Sequence, residues 1–224
     1  EHLVFTQAEP LQAVMGAAAR QKGGETVSGD AGGLLRTPEG LLYVMLCDGM
    51  GSGSAASRES KLAVRLLEQF LRAGVQAETA LKTLNAALAL RSEEEGGFTT
   101  VDLLELDLFT GAAALYKFGA APTYLRRGPS VSRITGAALP AGPTDGERIA
   151  PDIPRLQLES GDVVVMVSDG VADQREDQWL RDALAAFDGE SPKDLARALV
   201  SANVDEHGPL DDRTALVVRL SARS

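Results

Sequence analysis

The sequence predicts an α+β fold in which two sheets pack face to face and helices cover their outer surfaces. Three observations carry this prediction. The elements run as strands, two helices, many strands, two helices and a last strand, which groups the helices in pairs. Several strand connections are short turn sequences, as hairpins require. Val163 to Val167 is apolar on both faces, so that strand is central and covered on both sides.

Gln12 to Lys22 reads as a strand followed by a turn at Gly23-Gly24. Leu34 to Arg36 and Leu41 to Leu46 flank Thr37-Pro38-Glu39-Gly40, where Pro presets a turn and Gly closes it, and so form a hairpin. Leu41 to Leu46 delivers Asp48 into a loop carrying Gly49, Gly51 and Gly53, and a helix starts at the serines that follow. Leu62, Leu66, Leu67, Phe70 and Leu71 recur at helical spacing up to Gly74; Leu81, Leu84 and Leu88 stripe a second helix. The acidic run Glu93-Glu94-Glu95 with Gly96-Gly97 reads as a solvated loop.

From Phe98 the period becomes alternating: Leu104, Leu106 and Leu108 share one face, Glu105 and Asp107 the other. Thr110-Gly111 turns the chain into a strand through Phe118, and short strands follow at Thr123 to Arg126 and Val131 to Ile134. Gly136 to Pro154, rich in Gly and Pro, reads as a long loop. Leu156 and Leu158 suggest a strand and Gly161-Asp162 a turn before the central strand. Trp179, Leu180, Ala183, Leu184 and Phe187 stripe one helix. The next opens with Ser191 as N-cap, Pro192 at the first helical position and Asp194 near the positive end of the dipole. After Gly208-Pro209, the last strand spans Ala215 to Leu220.

With 224 residues and no linker-like stretch, one domain over 1–224 is expected. The 22 basic against 32 acidic residues give a net charge of -10, which disfavours nucleic acid and anionic membranes as partners. Cys47 is the only cysteine, which rules out an intrachain disulfide and a Cys-rich zinc site, suits a reducing compartment such as the cytoplasm, and reads as a strand residue. No apolar run reaches the length of a bilayer span, and Glu1-His2-Leu3 neither starts with Met nor resembles a signal peptide. The expectation is the C-terminal part of a longer protein.

Asp30, Asp48, Asp169 and Asp211 or Asp212 all fall at predicted strand ends, three of them beside glycine. Asp beside Gly is ordinary turn chemistry, so each alone says little. If the four ends meet at one edge of a sandwich, their carboxylates repel unless cations neutralise them, and hard oxygen ligands suit Mg²⁺ or Mn²⁺. Two ions can share a carboxylate, activate water and hold a phosphate for in-line attack.

Val27-Ser28-Gly29-Asp30, Asp48-Gly49-Met50-Gly51, Ser168-Asp169-Gly170 and Asp211-Asp212-x-Thr214 resemble, in order and separation, the motifs of the metal-dependent PPM (PP2C-like) serine/threonine phosphatases. Asp-Gly-Met-Gly-x-Gly, Gly119-Ala120-Ala121-Pro122 and Phe98-Thr99-Thr100 look like the bacterial sporulation stage II protein E and RsbU branch. The resemblance runs from about Met15 to Leu220. It implies an αββα sandwich and a catalytic set of Asp30, Asp48, Asp169 and Asp211. Asp48 would bridge two Mn²⁺ or Mg²⁺ ions, helped by the Gly49 carbonyl; Asp30 would serve the second ion, Asp169 and Asp211 the first. Asp212 is the other candidate in the Asp211-Asp212 pair. The implied substrate is a phosphoserine or phosphothreonine protein, an anti-sigma factor antagonist of the STAS type, and homodimerisation is left open. The branch also implies an N-terminal regulatory or membrane region in the full-length protein.

The sequence departs from the wider family in two places. Asp30 is followed by Ala31-Gly32 instead of an aromatic residue, and Met50 stands where animal members have a His, so no general acid is named. His207, Arg20 and Lys22 read as polar surface. Two other functions compete with the phosphatase. Gly51-x-Gly53-x-x-Ala56 matches a dinucleotide fingerprint literally, but a second helix follows where the fingerprint expects a strand. A phosphatase-like module that only binds or is conditionally active is the other, and retention of all four acids opposes it.

Overall fold

The computed structural model describes residues 7–95, 98–142, 150–172, 177–188, 191–204 and 208–223. Glu1-His2-Leu3, Gly96-Gly97, His207 and residues 143–149 of the long loop lie outside them. Ten strands and four helices follow in the described chain: β1 Leu11–Arg20, β2 Asp30–Arg36, β3 Leu41–Gly49, α1 Gly53–Arg72, α2 Ala77–Glu95, β4 Thr99–Asp107, β5 Ala112–Phe118, β6 Thr123–Arg127, β7 Ser130–Ile134, β8 Arg155–Gln157, β9 Val163–Val167, α3 Gln178–Ala186, α4 Pro192–Ser201 and β10 Arg213–Ala222.

The strands form two antiparallel five-stranded sheets, ordered β1-β10-β9-β6-β7 and β2-β3-β4-β5-β8. β9 lies in the middle of the first, as its two-faced apolarity requires. Between the sheets, Leu42, Val44, Leu46, Leu104, Leu106 and Leu115 pack against Val164, Met166, Leu216 and Val218. Outside one sheet, Leu67, Leu81, Leu84 and Leu88 of α1 and α2 cover Met45 and Leu103. Outside the other, Leu180, Leu184, Leu195 and Leu199 of α3 and α4 cover Val165 and Val217. The result is four layers, α, β, β and α. Cys47 is a buried strand residue whose thiol is pushed up by burial.

The structure departs from the sequence expectation at β2 and at the end of α2, and it decides the dinucleotide alternative. β2 begins at Asp30, earlier than Leu34, because the small residues Ala31, Gly32 and Gly33 pair residue by residue with Cys47, Leu46 and Met45. The acidic run through Glu95 continues α2 instead of forming a loop, in line with the good helix propensity of Glu. The dinucleotide fingerprint is excluded: β3 and β4, on either side of the two helices, are antiparallel neighbours, whereas that motif needs a parallel crossover. At α4, Ser191 caps as expected, its Oγ accepting from the Asp194 N–H. Among the described residues no helix is long and apolar enough to cross a membrane.

Candidate metal centre

The interlayer is apolar along most of its length and turns polar at one end. The turn Thr37-Pro38-Glu39-Gly40, closed by Thr37 N–H to the Leu41 carbonyl and Gly40 N–H to the Thr37 carbonyl, sets the register of β2 against β3. That register puts Asp30 opposite Asp48, and Asp48 opposite Thr100 of β4. Even-numbered residues of β3 face the other sheet, so both carboxylates point into the interlayer. Asp30 is buried and Asp48 partly so.

Two threonines brace Asp48. Thr99 Oγ1 donates to the Asp48 carbonyl at 2.8 Å, and Thr100 Oγ1 accepts from the Asp48 N–H at 3.2 Å. Gly49 is required by packing: a Cβ there would lie 2.1 Å from the Ala56 carbonyl oxygen, so only glycine lets α1 come this close.

The facing sheet brings the other two acids. Asp169 follows β9 and Asp211 precedes β10, both exposed. Ser168 ties the two strand ends together, its Oγ accepting from the Thr214 N–H at 2.8 Å and its N–H donating to the Thr214 carbonyl at 3.0 Å. Gly170 has no room for a side chain, since a Cβ would meet the Asp212 carbonyl oxygen at 2.1 Å.

Asp211 and Asp212 divide into two roles. Asp212 is buried; its Oδ1 accepts from the Lys22 N–H at 2.9 Å and its Oδ2 from the Gly29 N–H at 2.7 Å, pinning the β1–β2 loop. Asp211 Oδ1 accepts from the neighbouring Asp212 N–H at 2.9 Å. Lys22 thus contributes its main chain here, while Arg20 is exposed at the end of β1.

The charges of these acids act on one another. Burial, then the charges of Asp30, Asp169 and Asp211, push Asp48 up to about 9. Burial raises Asp30 to about 6; the Thr214 and Ser168 hydroxyls pull against it, and the Asp212 and Asp169 charges add to it. Asp30 and Asp48 titrate as a pair. Neither Asp30 oxygen has a hydrogen-bond partner of good geometry, although both hydroxyls lie near enough to influence its charge. A buried carboxylate without a hydrogen-bond partner, beside others whose charges repel it, is a donor set that hard divalent cations suit. Among the described residues, however, no three acidic, His or Cys side chains are already gathered at ligand spacing.

Sequence reasoning overlooked a second polar row one step further in. Leu46, Asp102 and Lys117 are cross-strand neighbours on β3, β4 and β5. Lys117 Nζ donates to Asp102 Oδ2 at 2.6 Å and to Thr123 Oγ1 at 2.8 Å, and Thr123 Oγ1 donates to Asp102 Oδ2 at 2.6 Å. The signal was a charge flanked on both sides by apolar residues in each strand, Val101-Asp102-Leu103 and Tyr116-Lys117-Phe118.

Two face-packed antiparallel sheets between helix pairs, with aspartates from both sheets at one end of the interlayer, define a PP2C-like phosphatase domain. A solved structure of the PP2C phosphatase domain and a fragment of the regulatory domain of SpoIIE from Bacillus subtilis superposes with a TM-score of 0.86 at 29% identity, over 96% of this chain and 64% of that one. The chain belongs to the stage II sporulation protein E (SpoIIE) family, whose model matches residues 38–221. Stage II sporulation protein E of Bacillus subtilis (strain 168) is 30% identical over 226 residues, which cover 98% of this chain and 27% of that protein. The catalytic domain of the serine/threonine phosphatase PstP, solved with two manganese ions, shares the fold with a TM-score of 0.74 at 20% identity, over 94% of this chain and 99% of that one.

Proposed function

We propose that this chain hydrolyses phosphoserine or phosphothreonine in a protein, with two Mn²⁺ or Mg²⁺ ions held by Asp30, Asp48, Asp169, Asp211 and the Gly49 carbonyl. The observation that carries the reading is the Asp30–Asp48 pair, facing each other across β2 and β3 at the end of an apolar interlayer with both Asp30 oxygens unpartnered. Asp212, with both oxygens accepting backbone N–H groups, is a strut and not a ligand in this proposal. Bound divalent ions would offset phosphate charge and make water acidic enough to attack at neutral pH. The chain's own part is to hold the acids: Thr99 and Thr100 fix the Asp48 backbone, and Ser168 joins the strands that carry Asp169 and Asp211.

The substrate class follows from the family resemblance, which points to a STAS-type anti-sigma factor antagonist. The charge of -10 supports a protein partner over nucleic acid. Attachment to regulatory or membrane segments is part of the same proposal, supported by the 27% share of the Bacillus subtilis relative that this chain spans. A second reading, a conditionally active module, is favoured by the absence of three ready-gathered ligand side chains among the described residues.

The test is hydrolysis of an aryl phosphate and of a phosphoserine STAS protein, with Mn²⁺ titrated in. Hydrolysis that needs Mn²⁺ and is lost in Asp48→Asn and Asp169→Asn supports the first reading. Full hydrolysis in excess chelator overturns it, and Mn²⁺ binding without hydrolysis selects the second.

A further inference from the structure

The Asp102–Lys117–Thr123 triangle is buried more completely than an ion pair needs to be for fold alone. Asp102 is 2% exposed, and Lys117 and Thr123 are fully enclosed. Enclosing two charges costs about several kcal/mol per ion, and apolar residues of similar volume often serve stability as well or better. Both hydrogen bonds that Asp102 accepts in the triangle fall on one carboxylate oxygen, Oδ2. Oδ1 is buried with no partner.

Asp102 also lines a small cavity of ≈ 20 Å³, together with Asp48, Thr100, Ser168 and Asp169. About 10–15 Å³ suffices for one water, provided two or more polar partners are present. The lining supplies carboxylates from three chain segments, so the cavity is large enough and polar enough for one water. A cation directly on Asp102 is disfavoured, because the Lys117 ammonium sits 2.6 Å from Oδ2 and cancels the carboxylate charge. An oxygen that is neutralised in this way, yet still an acceptor, suits an O–H donor.

We propose that Asp102 is a positioning residue: its Oδ1 accepts one O–H of a single water in this cavity, and that water donates its other O–H to the Asp48 carboxylate and so orients it. Lys117 and Thr123 lock Oδ2 so that Oδ1 has one direction. The inference rests on the metal-centre reading above. Groups that orient metal ligands in this way typically change metal affinity by about 10–100-fold when lost.

The test compares the wild type, Asp102→Asn and the double variant Asp102→Asn with Lys117→Gln. Mn²⁺ affinity is read by titration calorimetry and Mn²⁺ spin resonance, folding by thermal unfolding, and the cavity by a high-resolution crystal structure of the wild type. Asp102→Asn leaves the Lys117 charge unpaired and so lowers stability as well as affinity. The double variant removes both charges while keeping hydrogen-bonding groups. The expected result is stability restored in the double variant, Mn²⁺ affinity still down about 10–100-fold, and water density within hydrogen-bond reach of Asp102 Oδ1. Recovery of affinity along with stability in the double variant overturns the proposal, because the pair is then structural only. An unchanged affinity in Asp102→Asn, a metal peak in the cavity or an empty cavity also overturns it. If the wild type binds no Mn²⁺ at all, the metal-centre reading fails first, and the cavity density still decides whether Asp102 holds a water.

Discussion

Asp30→Asn isolates what it costs to keep a carboxylate at the mouth of the interlayer. Asp30 is 7% exposed and neither oxygen has a hydrogen-bond partner. Burial, ahead of the Asp212 and Asp169 charges, moves it from 3.8 to about 6. A carboxyl raised in this way binds its proton more tightly in the folded state than in the unfolded one. Its penalty is therefore absent below the unfolded value, grows between about pH 4 and 6, and is complete above that. At about 1.4 kcal/mol per pH unit, ionised Asp30 costs the metal-free domain roughly 3 kcal/mol at pH 8, about half that at pH 5 and almost nothing below pH 4.

Asparagine has nearly the same shape without the charge, and its amide can donate to the Asp48 carboxylate opposite. In chelator at pH 8 the variant should therefore melt about 5–10 °C above the wild type, with about half that gain at pH 5. Added Mn²⁺ should raise the wild type by binding linkage and the variant far less. Scanning calorimetry at three pH values, with and without Mn²⁺, reads all of this. An Asn variant no more stable than the wild type at pH 8, or a gain independent of pH, refutes the reasoning.

The remaining predictions concern the loops that bring the acids together. Asp212→Asn cannot accept from both Lys22 and Gly29 N–H groups, so chelated protein should lose about 1–3 kcal/mol in denaturant unfolding. Asp211→Asn keeps an acceptor for the Asp212 N–H and should leave that midpoint alone while weakening Mn²⁺ binding; the reverse pattern would transfer the ligand role to Asp212. Gly170→Ala sets a Cβ 2.1 Å from the Asp212 carbonyl oxygen and should cost about 2–4 kcal/mol through forced backbone movement, so a wild-type midpoint would contradict the packing. Ser191→Ala removes the α4 cap and should cost about 1 kcal/mol, measured in the same way.

The fold was legible wherever hydrophobic period and turn chemistry agreed. Leu104, Leu106 and Leu108 read as one face and do face the interlayer, and Val163 to Val167 read as central and is. The pairing of Asp30 with Asp48 follows once Thr37 is set opposite Leu41, one residue beyond the Thr37 to Gly40 turn that the sequence signals. It was missed because Gly32-Gly33 looks like a strand boundary. Counting from Thr110-Gly111 alone sets residue 119 opposite Asp102, so the Asp102–Lys117 pairing needs the observed register, in which Leu106 pairs with Ala113. The contribution of Thr123 was not legible, since it comes from the other sheet, and nothing local in the sequence says how two sheets align. The division of labour between Asp211 and Asp212 was hidden for the same reason: it depends on the Lys22 and Gly29 N–H groups, nearly two hundred residues away in the chain.

These two polar rows explain why the site lies where it does. A sandwich interior is closed by apolar side chains from both sheets, and charge is tolerated only where strands end and water or an ion can reach. Asp30 and Asp48 occupy that end on one sheet; the loops at Asp169 and Asp211 supply it on the other. One row deeper the carboxylate of Asp102 is accompanied by its own cation, Lys117. The contrast separates the two rows chemically. The inner acid is neutralised by the fold's own cation, so it can be rigid, whereas the outer pair has none, and both of its carboxyls hold their protons more tightly than usual. In the metal-centre proposal, the stability that the chain forgoes at Asp30 and Asp48 would be available as binding energy for the cations.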